Sequence, residues 1–215
     1  MDKSNIDYTL YLVTDRDILE GRNLKEAVEE SILGGTTIVQ LREKKISSLD
    51  FYNIAKEIKI ITDKYNVPLI INDRIDIAQA IDASGVHLGQ SDMPCKVARK
   101  ILGENKIIGI SAHNFEEALK AQTEGADYIG CGAIFPTNTK KDANIVTCHS
   151  LGKIKRAIDI PVIAIGGINE NNIVKLNGLG IDGVAIVSAI LANNNIRYAT
   201  KELKNILDNN FTTNV

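Results

Sequence analysis

The chain has 215 residues, 44% of them hydrophobic and 24% charged, and 25 Lys and Arg against 27 Asp and Glu leave a formal net charge of −2. These proportions fit a soluble globular protein, and neither the net charge nor any basic run or aromatic ladder supplies a field for nucleic acid. No apolar run reaches the roughly 18 residues of a membrane span, and the polar opening MDKSNIDYTL resembles no signal peptide, so a cytoplasmic protein without membrane partners is expected.

In chain order, Tyr8–Val13 is predicted as the first strand, followed by a polar loop over Thr14–Asn23. Leu24, Ala27, Val28, Ser31 and Ile32 mark one helical face, closed by Gly34-Gly35. Ile38–Leu41 is the second strand. A helix through Phe51, Ile54, Ala55, Ile58 and Ile61 follows, capped by Ser47 or Ser48. Pro68–Ile71 and Gly85–Leu88 are the third and fourth strands, separated by a short helix through Ile77, Ala78 and Ile81. The next helix carries Val97, Ala98, Ile101 and Leu102. Ile107–Ile110 is the fifth strand, and Phe115, Ala118, Leu119 and Gln122 face inward from its helix. Tyr128–Phe135 is the sixth, leading to a long polar connection, Pro136–His149, before a helix through Leu151, Ile154 and Ile158. Pro161–Ile165 and Gly183–Val187 are the last two strands. Between them Ile173, Leu176 and Leu179 predict a helix started near Asn169, and a final helix uses Ile196, Ala199, Leu203 and Ile206.

Eight strands thus alternate with eight helices at about 27 residues per unit, with no linker or charge block between them. The alternation demands a parallel sheet, and the count of eight predicts a single-domain TIM (β/α)8 barrel over residues 1–215. A dinucleotide fold would need a glycine-rich first βα turn, and here that turn reads Thr14-Asp15-Arg16-Asp17.

The active site of such a barrel lies at the C-terminal ends of its strands. Those ends carry QLREK (Gln40–Lys44), IINDR (Ile70–Arg74), HLGQSD (His87–Asp92), ISAH (Ile110–His113) and FPTNTK (Phe135–Lys140). Arg42, Lys44 and Lys140 are cations at this rim, although a solvated turn with Glu43 and Lys45 also explains the first two. Asp73 and Asp92 are carboxylates at neighbouring strand ends. Their structural alternatives are a pairing with Arg74 or a cap on the short helix for Asp73, and an N-cap ahead of Pro94 for Asp92. Two hard oxygen ligands suit Mg2+, which keeps several waters and shares substrate phosphates. His87, inside a strand, reads as a hydrogen-bonded core histidine rather than a ligand or base. No nucleophilic triad is visible, and Ser111 with His113 does not make a nucleophilic pair.

Charge decides the ligand class. Three cations and one Mg2+, less two carboxylates, leave roughly +3 against about −3 on a bound pyrophosphate. Gly166-Gly167 and Ser188-Ala189 end the last two strands and form the phosphate cradle expected there, though a lone Gly-Gly also serves a tight turn. Two anionic sites on one rim imply two phosphorylated substrates. The three cysteines, Cys95, Cys131 and Cys148, are odd in number without zinc-type spacing, so free thiols are expected.

From YLVTDR (Tyr11–Arg16) to GVAIVSAI (Gly183–Ile190) these motifs, in this order, resemble the thiamine phosphate synthase family. GAIFPTNTK (Gly132–Lys140) and PVIAIGGI (Pro161–Ile168) belong to the same set. The resemblance implies an enzyme, a transferase of thiamine biosynthesis that joins a hydroxymethylpyrimidine pyrophosphate to a thiazole phosphate and releases pyrophosphate with Mg2+ help. It implies that Gln40, Arg42, Lys44, Asn72, Ser111 and Lys140 bind the pyrimidine pyrophosphate, and that Asp73 and Asp92 hold Mg2+. Thr137, Thr139, Gly167, Val187 and Ser188 would bind the thiazole phosphate, with Arg42, Lys44, Ser111 and Lys140 carrying catalysis. Ala133, where proline is usual, and Thr147-Cys148-His149 depart from the family pattern without touching a matched ligand position. Two other readings compete: a thiazole tautomerase-like isomerase, which generally lacks the two carboxylates and the FPTxTK loop, and a non-catalytic phosphate-binding barrel. A homo-oligomer is left open.

Overall fold

The computed structural model describes residues 3–137 and 145–210. Eight parallel strands close in sequence order, from β1 (Leu10–Val13) through β2 (Ile38–Leu41), β3 (Leu69–Asn72) and β4 (Gly85–Leu88). The circuit continues through β5 (Ile107–Ala112), β6 (Tyr128–Gly132) and β7 (Val162–Ile165) to β8 (Gly183–Ile186), which pairs back onto β1 with Tyr11 opposite Ala185.

Strand side chains alternate between two cores, as a two-residue period requires. Tyr11, Val13, Ile38, Ile70, Ile107, Tyr128, Ile163 and Ala185 fill the barrel together with Tyr8. Leu10, Leu12, Val39, Leu41, Ile71, Val86, Ile129 and Val184 face the helices. The inward parity turns polar toward the strand ends: Gln40 follows Ile38 at two residues, Asn72 follows Ile70, and Ser111 follows Ile107 at four. Asn72 is the register partner of His87, and His87 of Gly109. Strand pairing thereby collects a polar ring above an apolar plug.

The helical layer comprises α1 (Leu24–Leu33), α2 (Ser48–Lys64), α3 (Ile75–Ala80), α4 (Cys95–Leu102), α5 (Phe115–Thr123), α6 (Cys148–Ala157), α7 (Ser188–Leu191) and α8 (Ile196–Asn210). The α1 face is buried as its spacing predicts, and Ser47 caps α2 by accepting from Asp50 N–H at 3.1 Å. Two expected faces are corrected. On α4 only Cys95 and Ala98 are buried, leaving Val97 45% and Ile101 43% exposed; on α5 Ala118 and Ala121 are buried, leaving Phe115 43% and Leu119 41% exposed. Small residues let these helices lie close to the barrel, and the larger side chains are turned outward.

The helix expected between the last two strands is a single 3-10 turn, Ile173–Leu176. A strict three-residue step is the period of that tighter helix, and Gly178 and Gly180, at φ of +75° and +74°, end it. β6 ends earlier than expected, although Ile134 and Phe135 still donate their N–H groups to the carbonyls of Ile165 and Gly166. Cys148 and His149 belong to α6, with Thr147 as its N-cap, so the preceding connection ends two residues earlier than expected. Among the described residues no helix is long and apolar enough to cross a membrane.

Candidate active site

At the C-terminal end of the barrel lies a cavity of about 420 Å³. Gln40, Arg42, Lys44, Asn72, Asp73, Asp92 and Ser111 line one side of it. Thr137, Gly167, Val187 and Ser188 line the other. Thr139 and Lys140 lie outside the described residues, as does most of the segment ahead of α6. A wider open trough of about 1990 Å³ adjoins this chamber along the β1–α1 loop and shares Arg42, Lys44, Gly167 and Ser188 with it.

The cations beyond β2 are each paired with a carboxylate. Arg42 N–H donates to Thr14 Oγ1 at 2.9 Å, and its Nη1 lies 3.2 Å from Asp15 Oδ2. The Lys44 ammonium pairs with Asp73 Oδ2. Glu43, between them, is not part of a solvated turn: its side chain is only 6% exposed, Arg16 Nε sits 2.7 Å from its Oε1, and burial pushes its carboxyl up. The residue missed by sequence reasoning is Asp15. It brings one more negative charge to the rim, so the charge balance drawn from sequence is one unit too positive.

Neither structural alternative for the two carboxylates is observed. Arg74 pairs with Asp76 and not with Asp73, and α3 begins without a side-chain cap. Pro94 occupies the N-cap position of α4, while Asp92 Oδ2 accepts from Gly89 N–H at 2.7 Å, bracing the turn after β4. Asp73 has a left-handed backbone, φ +63°, a conformation that Asp tolerates better than most residues. Burial raises the Asp92 carboxyl above its ordinary range, and the neighbouring Asp73 raises it further. Such a pair gains from a cation between its members. Among the described residues no group of three or more His, Cys, Asp or Glu forms a metal cluster. Two oxygen donors without nitrogen or sulfur fit Mg2+, whose remaining positions go to water and phosphate.

Deeper in the cavity His87 is hydrogen-bonded at both ring nitrogens, Nδ1 to Tyr128 Oη and Nε2 to Ser111 Oγ, each at 3.0 Å. It is the hydrogen-bonded histidine that its strand position predicts. Ser111 and His113 form no pair, because His113 Nδ1 lies 2.9 Å from Glu117 Oε2 on α5.

The opposite wall is built differently. Gly167 has φ +67°, and a Cβ there would lie 2.5 Å from Pro136 O. Asn172 Nδ2 donates to Gly167 O at 2.8 Å. Beyond a tight turn, this glycine allows the β7 loop to approach the backbone that follows β6. Val187 and Ser188 lead into α7, whose first N–H groups are unpaired within the helix. Cys95 and Cys131 lie away from both walls, with thiols pushed up by burial to about 11 and about 12.

Residues 10–190 match the family model described as thiamine monophosphate synthase. The chain is 61% identical over 203 residues to the thiamine-phosphate synthase of Clostridium tetani (strain Massachusetts / E88), covering 94% of this chain and 97% of the relative. It is 60% identical over 199 residues to that of Alkaliphilus oremlandii (strain OhILAs), covering 93% and 95%. Among solved structures, the thiamine phosphate pyrophosphorylase from Pyrococcus furiosus superposes with a TM-score of 0.88 at 40% identity, over 95% of this chain and 97% of that one.

Proposed function

This chain belongs to the thiamine monophosphate synthase family, and from that premise we propose how its cavity makes thiamine phosphate. The enzyme is a transferase, a thiamine-phosphate synthase, and on this reading it condenses 4-amino-2-methyl-5-hydroxymethylpyrimidine pyrophosphate with a thiazole phosphate. The observation that carries the assignment of residues is that the charged wall and the glycine-rich wall enclose one chamber.

The pyrimidine pyrophosphate lies against the charged wall, its ring near Gln40, Asn72 and Ser111 and its phosphates toward Arg42, Lys44 and Lys140. Asn72 Nδ2 is a buried donor without a partner among the described residues, which supports a ligand acceptor at that point. The thiazole phosphate takes the main-chain donors around Gly167, Val187 and Ser188, together with Thr137 and Thr139. Mg2+ held by Asp73 and Asp92 would add positive charge beside the departing pyrophosphate oxygens.

In the reaction the C–O bond to pyrophosphate breaks and its electron pair leaves on oxygen. The thiazole nitrogen then supplies the pair for the new C–N bond, at a pyrimidine-methyl cation eased by the ring's amino group. No proton need be removed, which accords with a site in which His87 is occupied at both nitrogens. Arg42 and Lys44 enter already oriented by Asp15 and Asp73, so positive charge meets the growing negative charge with little reorganisation. The soluble barrel acts in the cytoplasm on this reading. Incubation with both substrates, with and without Mg2+, tests it: thiamine phosphate should form only when all three are present. Absence of product with all three would overturn it.

A further inference from the structure

A hydrogen-bonded chain of five side chains from five strands crosses the barrel along the cavity wall. Gln40 Nε2 donates to Tyr11 Oη at 2.9 Å, and the hydroxyls of Tyr11 and Tyr128 lie 2.8 Å apart. Tyr128 Oη lies 3.0 Å from His87 Nδ1, and His87 Nε2 lies 3.0 Å from Ser111 Oγ. The fold makes room for this chain: a Cβ on Gly109 would lie 2.1 Å from Tyr128 Cζ, and one on Gly130 would lie 3.0 Å from His87 Cε1.

One arrangement of protons gives both buried tyrosine hydroxyls an acceptor. An amide N–H only donates, and a phenol has one proton to give. Burial pushes both tyrosines above their ordinary range, so each keeps that proton. Tyr11 accepts from Gln40, and the acceptor within reach of its own buried proton is Tyr128 Oη, so it donates there. Tyr128 has then accepted, and its proton goes to His87 Nδ1. An imidazole that accepts at Nδ1 has its proton on Nε2 and donates to Ser111 Oγ. The Ser111 hydroxyl proton is left to point into the cavity, and Gln40 is left to present its carbonyl.

We propose that Tyr11, Tyr128 and His87 are positioning residues whose chain has a single polarity, set at Gln40, that holds His87 as the Nε2–H tautomer and makes Ser111 a donor and Gln40 an acceptor toward the pyrimidine ring. Resting on the proposed function, this polarity favours a ring bearing an amino group over one bearing an oxo group, because two acceptors repel where one acceptor meets an N–H. The part concerning the tautomer needs no substrate.

Nitrogen NMR of histidine-labelled protein at about pH 8, where an unperturbed imidazole is neutral, reads the tautomer directly. The His87 signals are assigned by their loss in His87→Asn. Wild type should show His87 protonated at Nε2 alone. Gln40→Leu removes the group that sets direction and should give mixed tautomers at His87, although the two are linked only through Tyr11 and Tyr128. Tyr128→Phe keeps the ring and cuts the chain, and should also give mixed tautomers. Calorimetry with the unreactive aminopyrimidine and oxopyrimidine alcohols should show preference for the amino ring falling about tenfold in Tyr128→Phe. Tyr8→Phe is the control: its ring lies 5.1 Å from that of Tyr128, but its hydroxyl is outside the chain, so both readouts should stay as in wild type. A proton on Nδ1 in wild type, or an unchanged single tautomer in Gln40→Leu, would overturn the proposal. Should Tyr128→Phe not fold, Tyr11→Phe makes the same cut one link earlier. The expected tautomer in a protein that makes no thiamine phosphate would sink the proposed function and leave this inference standing.

Discussion

On the proposed reading, the two walls of the cavity meet anions by different means. The wall from β2 to β4 uses side chains: Arg42 braced by Asp15, Lys44 braced by Asp73, and Asp92 bracing the Gly89 turn. The wall after β7 and β8 uses backbone, reached through Gly167 and the first turn of α7. A side-chain wall concentrates charge where charge changes during reaction, and each residue in it matters to rate. A main-chain wall holds an anion whose charge does not change, and it depends on chain geometry more than on any one side chain. The difference fits the two phosphorylated substrates, one of which loses its phosphates while the other keeps its own.

The largest effect should come from Asp73. Asn at this position tolerates the left-handed backbone that Ala would not, so Asp73→Asn removes charge while sparing geometry. Turnover should fall roughly a thousandfold, with the thermal midpoint near that of wild type because Asp73 caps no helix. Turnover close to wild type would remove the carboxylate pair from the account.

Next comes Lys140, which the sequence alone places at this rim. Lys140→Ala should lower kcat about a hundredfold, for loss of about 3 kcal/mol, with a smaller change in KM for the pyrimidine substrate. A raised KM with normal kcat would make it a binding residue and leave the departing charge to Arg42 and Lys44.

On the other wall the order of severity should be inverted relative to side-chain size. Gly167→Ala adds one methyl group where the backbone has φ +67° and Pro136 O would lie 2.5 Å away. KM for the thiazole phosphate should rise about tenfold in steady-state kinetics as the loop shifts. Ser188→Ala removes a hydroxyl and leaves the main-chain donors, so the same KM should rise only about threefold. An equal rise for the pyrimidine pyrophosphate in either variant would merge two sites that the account separates.

Strand positions and the residues pointing into the barrel were readable because a two-residue period changes from Ile to Gln, Asn or Ser along individual strands. Their convergence on one cavity also follows from parallel strand order. Other features depend on contacts that spacing does not encode. Asp15 comes from a loop, and the β1–β2 register that sets Val13 opposite Gln40 carries it to Arg42. On α4 and α5 the spacing places Ala98 and Ala118 inward correctly, but the small Cys95 and Ala121 complete the close contacts in place of Val97, Ile101, Phe115 and Leu119. Between β7 and β8 the three-residue step predicts a helix, while Gly178 and Gly180 in the same segment hold it to one 3-10 turn. The Tyr11–Tyr128 contact spans 117 positions, and only the absence of a side chain at Gly109 hints at it.

The central claim, two anion sites of different construction within one chamber, is tested most directly by calorimetric titration with pyrophosphate and with the thiazole phosphate. Pyrophosphate binding should require Mg2+ and weaken at least tenfold in Lys44→Ala, while thiazole phosphate binding should be indifferent to both and should persist when pyrophosphate saturates the protein. Mutual exclusion of the two ligands, or a matching loss of thiazole phosphate affinity in Lys44→Ala, would contradict it.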